Sequence, residues 1–558
     1  MGSEANHGFA RSSGKHDANW HQERFNRFLE FVQNAQPVAQ TVAESGDSVA
    51  FEIEDFGTSI QHVTPDQLGR LFQELAINRE LLAQPEAASA LEAIFQLFAR
   101  RPVNEPSKFD NAWLDATDFE TVYRSIPAES NSRNHLLSAL AAMDSDQALK
   151  LFANLLSTDP PADERGILLS FAPLVNGSRK YDVSLLFPDL LEALKYKHLA
   201  AIILDLANYC YRNGMTDVHP VKPRTQQLTV LLGQVVNQLA MIEEGKLDGR
   251  SANEISDSVN ESVALTVSLC DALAQADTQK AVGKVRQAMG LKHRRVKTEA
   301  AAALIRLGDT DEGEGKKQLV ELAAEPICRL RVIEYARELG LLDEIDEDDQ
   351  GPAALAESQL ALWLASPAQM GVSPTSMEVV HHSRLRWPGF QEAVDCFLIR
   401  FEYRFAGQTY SNIGLVGPVT HAFACNLEHL SYREILAAFA GWQTEHEDVY
   451  TIDIEKAREA MPGTVETLSR RVKASYDEMQ LHFLGFFFET PSLIASVTEE
   501  SAGGELRSLV VMDRDNEYVF GAGSSHSPLT PELAFEIYKG LQLLVAFNDP
   551  EIFEQYEL

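Results

Sequence analysis

Val296-Lys297-Thr298-Glu299-Ala300-Ala301-Ala302-Ala303-Leu304-Ile305-Arg306-Leu307-Gly308 returns 32 residues later as Cys328-Arg329-Leu330-Arg331-Val332-Ile333-Glu334-Tyr335-Ala336-Arg337-Glu338-Leu339-Gly340. In both copies apolar residues recur at helical spacing, a basic residue follows the first of them, and Leu-Gly closes the pattern. A period of this length marks helical hairpins stacked in an array, because one hairpin cannot bury its apolar face without neighbours. The stretch from Arg294 to Gly340 therefore predicts a mainly α chain built as an α-solenoid. It speaks of architecture rather than chemistry.

Toward the N-terminus the same logic continues with less regular spacing. Leu136, Leu140 and Met143 form one apolar stripe, and Ala148, Leu151, Phe152, Leu155 and Leu156 form the next. Leu228, Leu231, Leu232, Val235, Leu239 and Ile242 line a longer helix. No strand pattern interrupts the chain here, which favours an all-helical array over an alternating α/β fold. Before residue 131, Phe25, Phe28, Leu29 and Val32 give one helix, and Thr64-Pro65-Asp66-Gln67 is a capped start for another, with Pro at a position that needs no N–H. Ser48 to Ile53 fits a strand or a loop, and Pro102 to Asp118 joins this part to the next. Residues 1–16 read as a polar tail, 17–130 as an N-terminal helical region and 131–342 as the solenoid.

Helices that end in Leu307-Gly308-Asp309 and Leu339-Gly340, with Ala-rich inner positions and Arg294-Arg295-Val296 opening one of them, resemble HEAT repeats of the short bacterial type. The resemblance covers residues 283 to 342; residues 131 to 282 share only helix length and amphipathicity with such repeats. It implies paired antiparallel helices in a curved superhelix whose concave face binds a partner.

Residues 343–352, Asp343-Glu344-Ile345-Asp346-Glu347-Asp348-Asp349-Gln350-Gly351-Pro352, form a self-repelling acidic run ending in a helix-breaking pair, read as a linker or as an end cap of the array. Beyond it the period changes. Phe397, Ile399, Phe401, Tyr403 and Phe405 alternate with polar or outward residues as a half-buried strand does, and Ala406-Gly407 turns the chain into Tyr410 to Val416. Ser431-Tyr432-Arg433-Glu434 is a capping box opening a helix through Ile435, Leu436, Phe439 and Trp442. Val465, Leu468, Val472, Tyr476, Met479 and Phe483 read as one side of a second helix. Ser492 to Val497, Leu506 to Met512 and Glu517 to Phe520 read as strands, and Thr530-Pro531-Glu532 opens a last helix. Grouped strands with inserted helices predict an α+β domain with a largely antiparallel sheet over 353–548, followed by a tail at 549–558. This domain resembles one of unassigned function that follows HEAT arrays in some bacterial proteins, so the resemblance implies no activity.

The balance of 48 basic against 82 acidic residues gives a net charge of -34. Such a surface repels phosphate backbones and anionic membranes, so neither a nucleic-acid nor a membrane role is expected. The polar start, Met1 to Trp20, has no apolar signal core, and Asn6 stands where a myristoylation signal wants Ser or Thr, so a cytoplasmic location is expected. Cys210, Cys270, Cys328, Cys396 and Cys425 are scattered among apolar neighbours and read as reduced core residues.

Four groups invite a chemical reading. His421, Cys425 and His429 have zinc-compatible side chains, but their spacing is looser than that of paired zinc ligands, and no metal or other cofactor is expected. Gly521-Ala522-Gly523-Ser524-Ser525-His526-Ser527 lacks phosphate-loop spacing, the Walker lysine and the strand-turn-helix nucleophile form. Lys292-His293-Arg294-Arg295-Val296-Lys297 is a basic run at a helix turn, where solvated charge is normal. Trp442, followed by His446 between Glu445 and Glu447, is a core residue or, if exposed, an interaction anchor. No catalytic residue emerges. The expected function is a non-catalytic scaffold binding a protein or peptide partner, with His421, Trp442 and His446 as candidate contact residues. The alternative is an enzyme or small-ligand site in the C-terminal domain, which requires His421, Cys425, Trp442 and His446 to converge.

Overall fold

The computed structural model describes residues 18–34, 62–104, 115–162, 164–176, 180–246, 251–308, 313–405, 407–476, 478–501, 504–521, 523–524 and 527–548. The tails at 1–16 and 549–558, and the segment Ser48 to Ile53, lie outside them, as do residues 105–114 of the joining stretch. The chain divides into two compact units, Met1–Lys316 and Lys317–Leu558. Among the described residues no helix is long and apolar enough to cross a membrane.

The first unit is helical. Its helices are α1 (Ala18–Asn34), α2 (Pro65–Ile77), α3 (Pro85–Asn104), α4 (Ala116–Ser125), α5 (Ser132–Ala142), α6 (Asp146–Thr158), α7 (Glu164–Val175), α8 (Asp189–Ala193), α9 (Lys197–Arg212), α10 (Thr225–Glu243), α11 (Ala252–Gln275), α12 (Val282–Met289) and α13 (Arg294–Arg306). Their contacts form two rows. Helices α3, α5, α7, α9, α11 and α13 pack each on the next, while α2, α4, α6 and α8 do the same and α10 packs on α12. This layering is what a stack of hairpins requires, and it begins at α2 and α3, upstream of residue 131. Local capping sets the starts: Thr64 with Gln67 and Ser251 with Glu254 are complete capping boxes, and Ser145 accepts from the Ala148 amide.

The doubled stretch falls on α13 and on α15 (Pro326–Leu339), which lies in the second unit beyond α14 (Glu314–Ala323). Five pairs at the 32-residue offset are buried in both copies: Val296 and Cys328, Ala300 and Val332, Ala301 and Ile333, Ala303 and Tyr335, Leu304 and Ala336. Gly308 and Gly340 both take φ 69°, the left-handed conformation that ends each helix.

The acidic run is structured within the second unit. Leu342–Glu344 is a 3-10 turn, Glu347–Gln350 a short helix α16, and Pro352–Leu364 helix α17. Arg329 organises it. Its buried guanidinium donates to the carbonyls of Ala323 (2.9 Å), Ala324 (3.2 Å) and Ala354 (2.8 Å) and pairs with Asp349 (3.0 Å) and Glu357 (3.2 Å). The first unit uses the same device: Arg133 donates to Ile126 O at 2.8 Å and pairs with Asp159 at 2.9 Å. In each case a guanidinium fork satisfies carbonyls left over at the end of the preceding helix.

After α17 come two antiparallel sheets. The first has the order β1 (Ser376–Arg386), β2 (Ala393–Phe405), β3 (Gln408–Val416), β4 (His421–Ala422). The second has the order β5 (Val449–Asp453), β6 (Glu478–Phe487), β7 (Thr490–Ser501), β8 (Gly504–Met512), β9 (Glu517–Gly521). Helix α18 (Tyr432–Gln443) follows β4, α19 (Ile454–Ala460) and α20 (Pro462–Ser475) lie between β5 and β6, and α21 (Pro531–Phe547) ends the described chain. The helix expected through Phe483 stops at Ser475, and Met479 and Phe483 belong to β6. Strand β1, absent from the sequence reading, carries a bulge at Val380 that breaks its alternation.

The layers are α17, first sheet, α18 with α21, second sheet, α19 with α20. Phe397, Ile399, Phe401 and Tyr403 pack with Leu360 and Leu364 of α17, while Cys396 and Leu398 face α18 and α21. Ile494, Leu509 and Val511 cover the other side of that helix pair, and Leu493, Ala495 and Val497 meet Val465, Leu468 and Val472 of α20.

The two sheets are copies of one unit. His381 pairs with Leu398 and Ser383 with Cys396, as Phe483 pairs with Ile494 and Gly485 with Ser492. Phe401 pairs with Asn412 as Val497 pairs with Ser508. Strands β1 and β6 even share the bulge, at Val380 and His482. Each copy is a helix, a four-stranded meander and a second helix. The second helices cross through Gly441 and Gly540, and the crossing is reciprocal. A Cβ on Gly441 would lie 2.0 Å from Glu536 O, and a Cβ on Gly540 would lie 1.8 Å from Ala437 O. Adding 99 to Gly441 and Ala437 gives Gly540 and Glu536, so the contact obeys an internal pseudo-two-fold.

Candidate functional site

The capping box at Ser431, whose hydroxyl accepts from the Glu434 amide, starts α18 and fixes which of its faces is buried. Ile435, Leu436 and Phe439 go to the core, and Trp442, in the last turn, is left 41% exposed. Strand β4 brings His421 to this indole. The rings stack at 4.1 Å between centroids with 13° between planes. Behind them Phe423 stacks on Phe439 at 4.7 Å and meets Trp442 edge-on at 5.9 Å. Trp363 of α17 meets His421 edge-on at 5.2 Å. Burial lowers the pKa of His421, so the imidazole in the stack is neutral at pH 7.

Two of the three candidate contact residues are therefore brought together. The third, His446, turns elsewhere: its Nδ1 accepts from the Asp448 amide at 3.1 Å, and its ring lies 5.0 Å from Phe488. The zinc-compatible trio also takes separate partners. The Cys425 carbonyl accepts from Asn412 Nδ2 at 2.9 Å and burial raises the pKa of its thiol. His429 Nε2 donates to Gly521 O at 2.9 Å. Gly523 lies against the His429 ring, close enough that a Cβ there would sit 2.9 Å from Cε1. Of the Gly521–Ser527 loop, Ala522, Ser525 and His526 lie outside the described residues; Gly523–Ser524 pairs with Ser527–Pro528 in a two-residue ladder.

The basic run at 292–297 opens α13. Glu243, at the end of α10, accepts from the amides of Lys292 (2.8 Å) and His293 (3.2 Å), so a carboxylate caps this helix start. In the first unit an open groove of about 520 Å³ lies between α4, α6 and the start of α8, lined by Glu120, Lys150, Asn154, Ser184 and Asp189.

The internal duplication shows what the aromatic stack is not needed for. At the place of His421 the second copy has Tyr518, by its pairing opposite Val511 as His421 pairs opposite Leu415, and at the place of Trp442 it has the buried Leu541. Tyr518 turns inward, meeting the Tyr538 ring at 5.2 Å and accepting from Gln542 Nε2 at 2.7 Å. One copy thus closes this corner with a hydrogen-bonded tyrosine and an aliphatic residue, and the other presents an indole on an imidazole. Trp363 and Phe423 escaped the sequence reading. The helix alignment Leu430-Ser431 through Gly441 over Leu529-Thr530 through Gly540 was the signal that would have exposed the duplication.

No protein-family model and no curated protein matches the chain.

Proposed function

We propose that this chain is a non-catalytic interaction scaffold, cytoplasmic, whose helical array and C-terminal domain each offer a surface to a protein or peptide partner. The observation that carries the reading is the exposed Trp442 held flat on His421. An indole fixed by stacking has little freedom left to lose on binding, and exposed tryptophans of this kind dominate binding energy at interfaces. The duplicated copy has Tyr518 and the buried Leu541 at these two places, so the exposed stack belongs to one copy only. The alternative, an enzyme or small-ligand domain, asks for convergence of His421, Cys425, Trp442 and His446. Only His421 and Trp442 meet ring to ring, while the Cys425 carbonyl is bonded to Asn412 and His446 to the Asp448 amide.

The test is quantitative affinity capture from native lysate with the full chain and with Trp442→Ala. Proteins held by the wild type should fall at least tenfold with the variant, the scale of a tryptophan anchor. A reproducible partner set unchanged by Trp442→Ala, or no reproducible set at all, removes the support for this reading.

A further inference from the structure

Among the described residues strand β1 is the outermost strand at one edge of the first sheet, whereas its counterpart in the second sheet has a further strand beside it. There β5 lies along β6, antiparallel, with Val449 opposite Phe487 and Asp453 opposite Phe483. The matching registers and shared bulge place Phe483–Phe487 on His381–Leu385. One copy of the fold therefore shows what the other copy's edge accepts. Among the described residues, no strand pairs with the outer side of β1.

The edge is already half engaged in strand-like bonding. The Arg386 amide donates to Asn548 Oδ1 at 2.8 Å and its carbonyl accepts from Asn548 Nδ2 at 3.0 Å, so a side-chain amide stands where a neighbouring strand's peptide group would. Because N–H and C=O of alternate residues point to the same side of a strand, Arg384 and His382 also turn their backbone groups outward. The bulge at Val380 ends the regular stretch, which leaves a site about five residues long, the length of β5.

The charge selects the occupant. His382, Arg384 and Arg386 are exposed in a row on a chain of net charge -34. His382 is paired with Asp395 at 2.9 Å, whereas among the described residues no carboxylate pairs with Arg384 or Arg386. Phe547, 47% exposed and next to Asn548, supplies apolar surface at one end.

We propose that the edge of β1 from His381 to Leu385, beside the Asn548 amide that occupies the backbone of Arg386, binds an extended acidic segment of a partner protein as an added antiparallel strand, with carboxylates facing the side chains of Arg384 and Arg386. Main-chain hydrogen bonds supply affinity in this mode, and side chains at alternate positions supply specificity. The surface is separate from the aromatic stack, and its test does not depend on that stack.

The probe is a labelled peptide of alternating Glu and Val, titrated into the full chain, beside a Lys/Val peptide and a Glu/Val peptide carrying one central Pro. Expected are binding of the Glu/Val peptide, at least tenfold weaker binding of the other two, and slowed hydrogen exchange at the His382 and Arg384 amides on binding. Arg384→Glu with Arg386→Glu should weaken the Glu/Val peptide about tenfold, from two cross-strand charge pairs turned repulsive, with the far-UV spectrum unchanged. Equal binding of the Lys/Val or Pro-interrupted peptide, or no change in exchange at the two amides, overturns the proposal. So does binding seen only when the chain is ended at Asn548, which would assign the edge to the protein's own residues 549–558.

Discussion

His219 is held as one tautomer in the helical unit. Its Nε2 donates to Asn208 Oδ1 at 3.0 Å while Nδ1 accepts from the Val221 amide at 3.3 Å. Burial, outweighing the attraction of Asp271, pushes its pKa down to about 4. A folded-state value below the unfolded value of about 6.5 means the unfolded chain binds the extra proton first. The stabilisation is therefore complete above about pH 6.5 and is lost as the pH falls toward 4, by about 3 kcal/mol in all. Urea denaturation at pH 7 and pH 4.5 should show this loss, and His219→Gln should shrink the difference between the two pH values. Arg329 carries a second residue-scale prediction. Arg329→Met strands two partly buried carboxylates and three carbonyls, at a cost on the order of 3 kcal/mol, and Arg329→Lys should restore only part because it lacks the planar fork. Chemical denaturation of the three proteins measures both.

At the scale of elements, the second unit turns on the crossing of α18 and α21. Ordinary helix packing keeps axes 8–10 Å apart, and only glycine at both crossing positions lets a backbone carbonyl of each helix occupy the site of the other's Cβ. Gly441→Ala and Gly540→Ala should each destabilise this unit by roughly 1–3 kcal/mol or more, as overpacking does. Thermal melts should show the loss, and an alanine at Gly463, where a Cβ meets nothing within 4 Å, should not reproduce it. The strands that the sequence revealed, β2, β3, β7, β8 and β9, are runs rich in β-branched, aromatic and other apolar residues. Among those it concealed, β1 and β6 each carry a bulge, and in β6 Met479 and Phe483 extend the apolar spacing of α20. The candidate site was legible in the same partial way. Trp442 reads from the sequence as a core residue or, if exposed, an anchor, and His421 as a candidate contact residue, but that they meet depends on β4 returning beside α18, which no local pattern encodes.

Over the whole molecule, the charge of -34 works against the compact state through self-repulsion, and salt screens it. Raising NaCl from about 20 to 150 mM, which shortens the screening length from roughly 20 Å to 8 Å, should raise the melting temperature. A fall would mean that local ion pairs such as Arg306 with Asp271 outweigh the net charge. The sequence by itself determined the division into a helical array and an α+β part, the boundaries set by caps and left-handed glycines, and the absence of any familiar catalytic motif. These follow from interactions within a few residues of one another, which one-dimensional periodicity records. Only the tertiary structure decided that the acidic run folds onto Arg329, that α18 and α21 cross through Gly441 and Gly540, and that His421 lies flat on Trp442. Each of these joins groups from different elements, and their meeting is fixed by packing and strand register rather than by spacing along the chain.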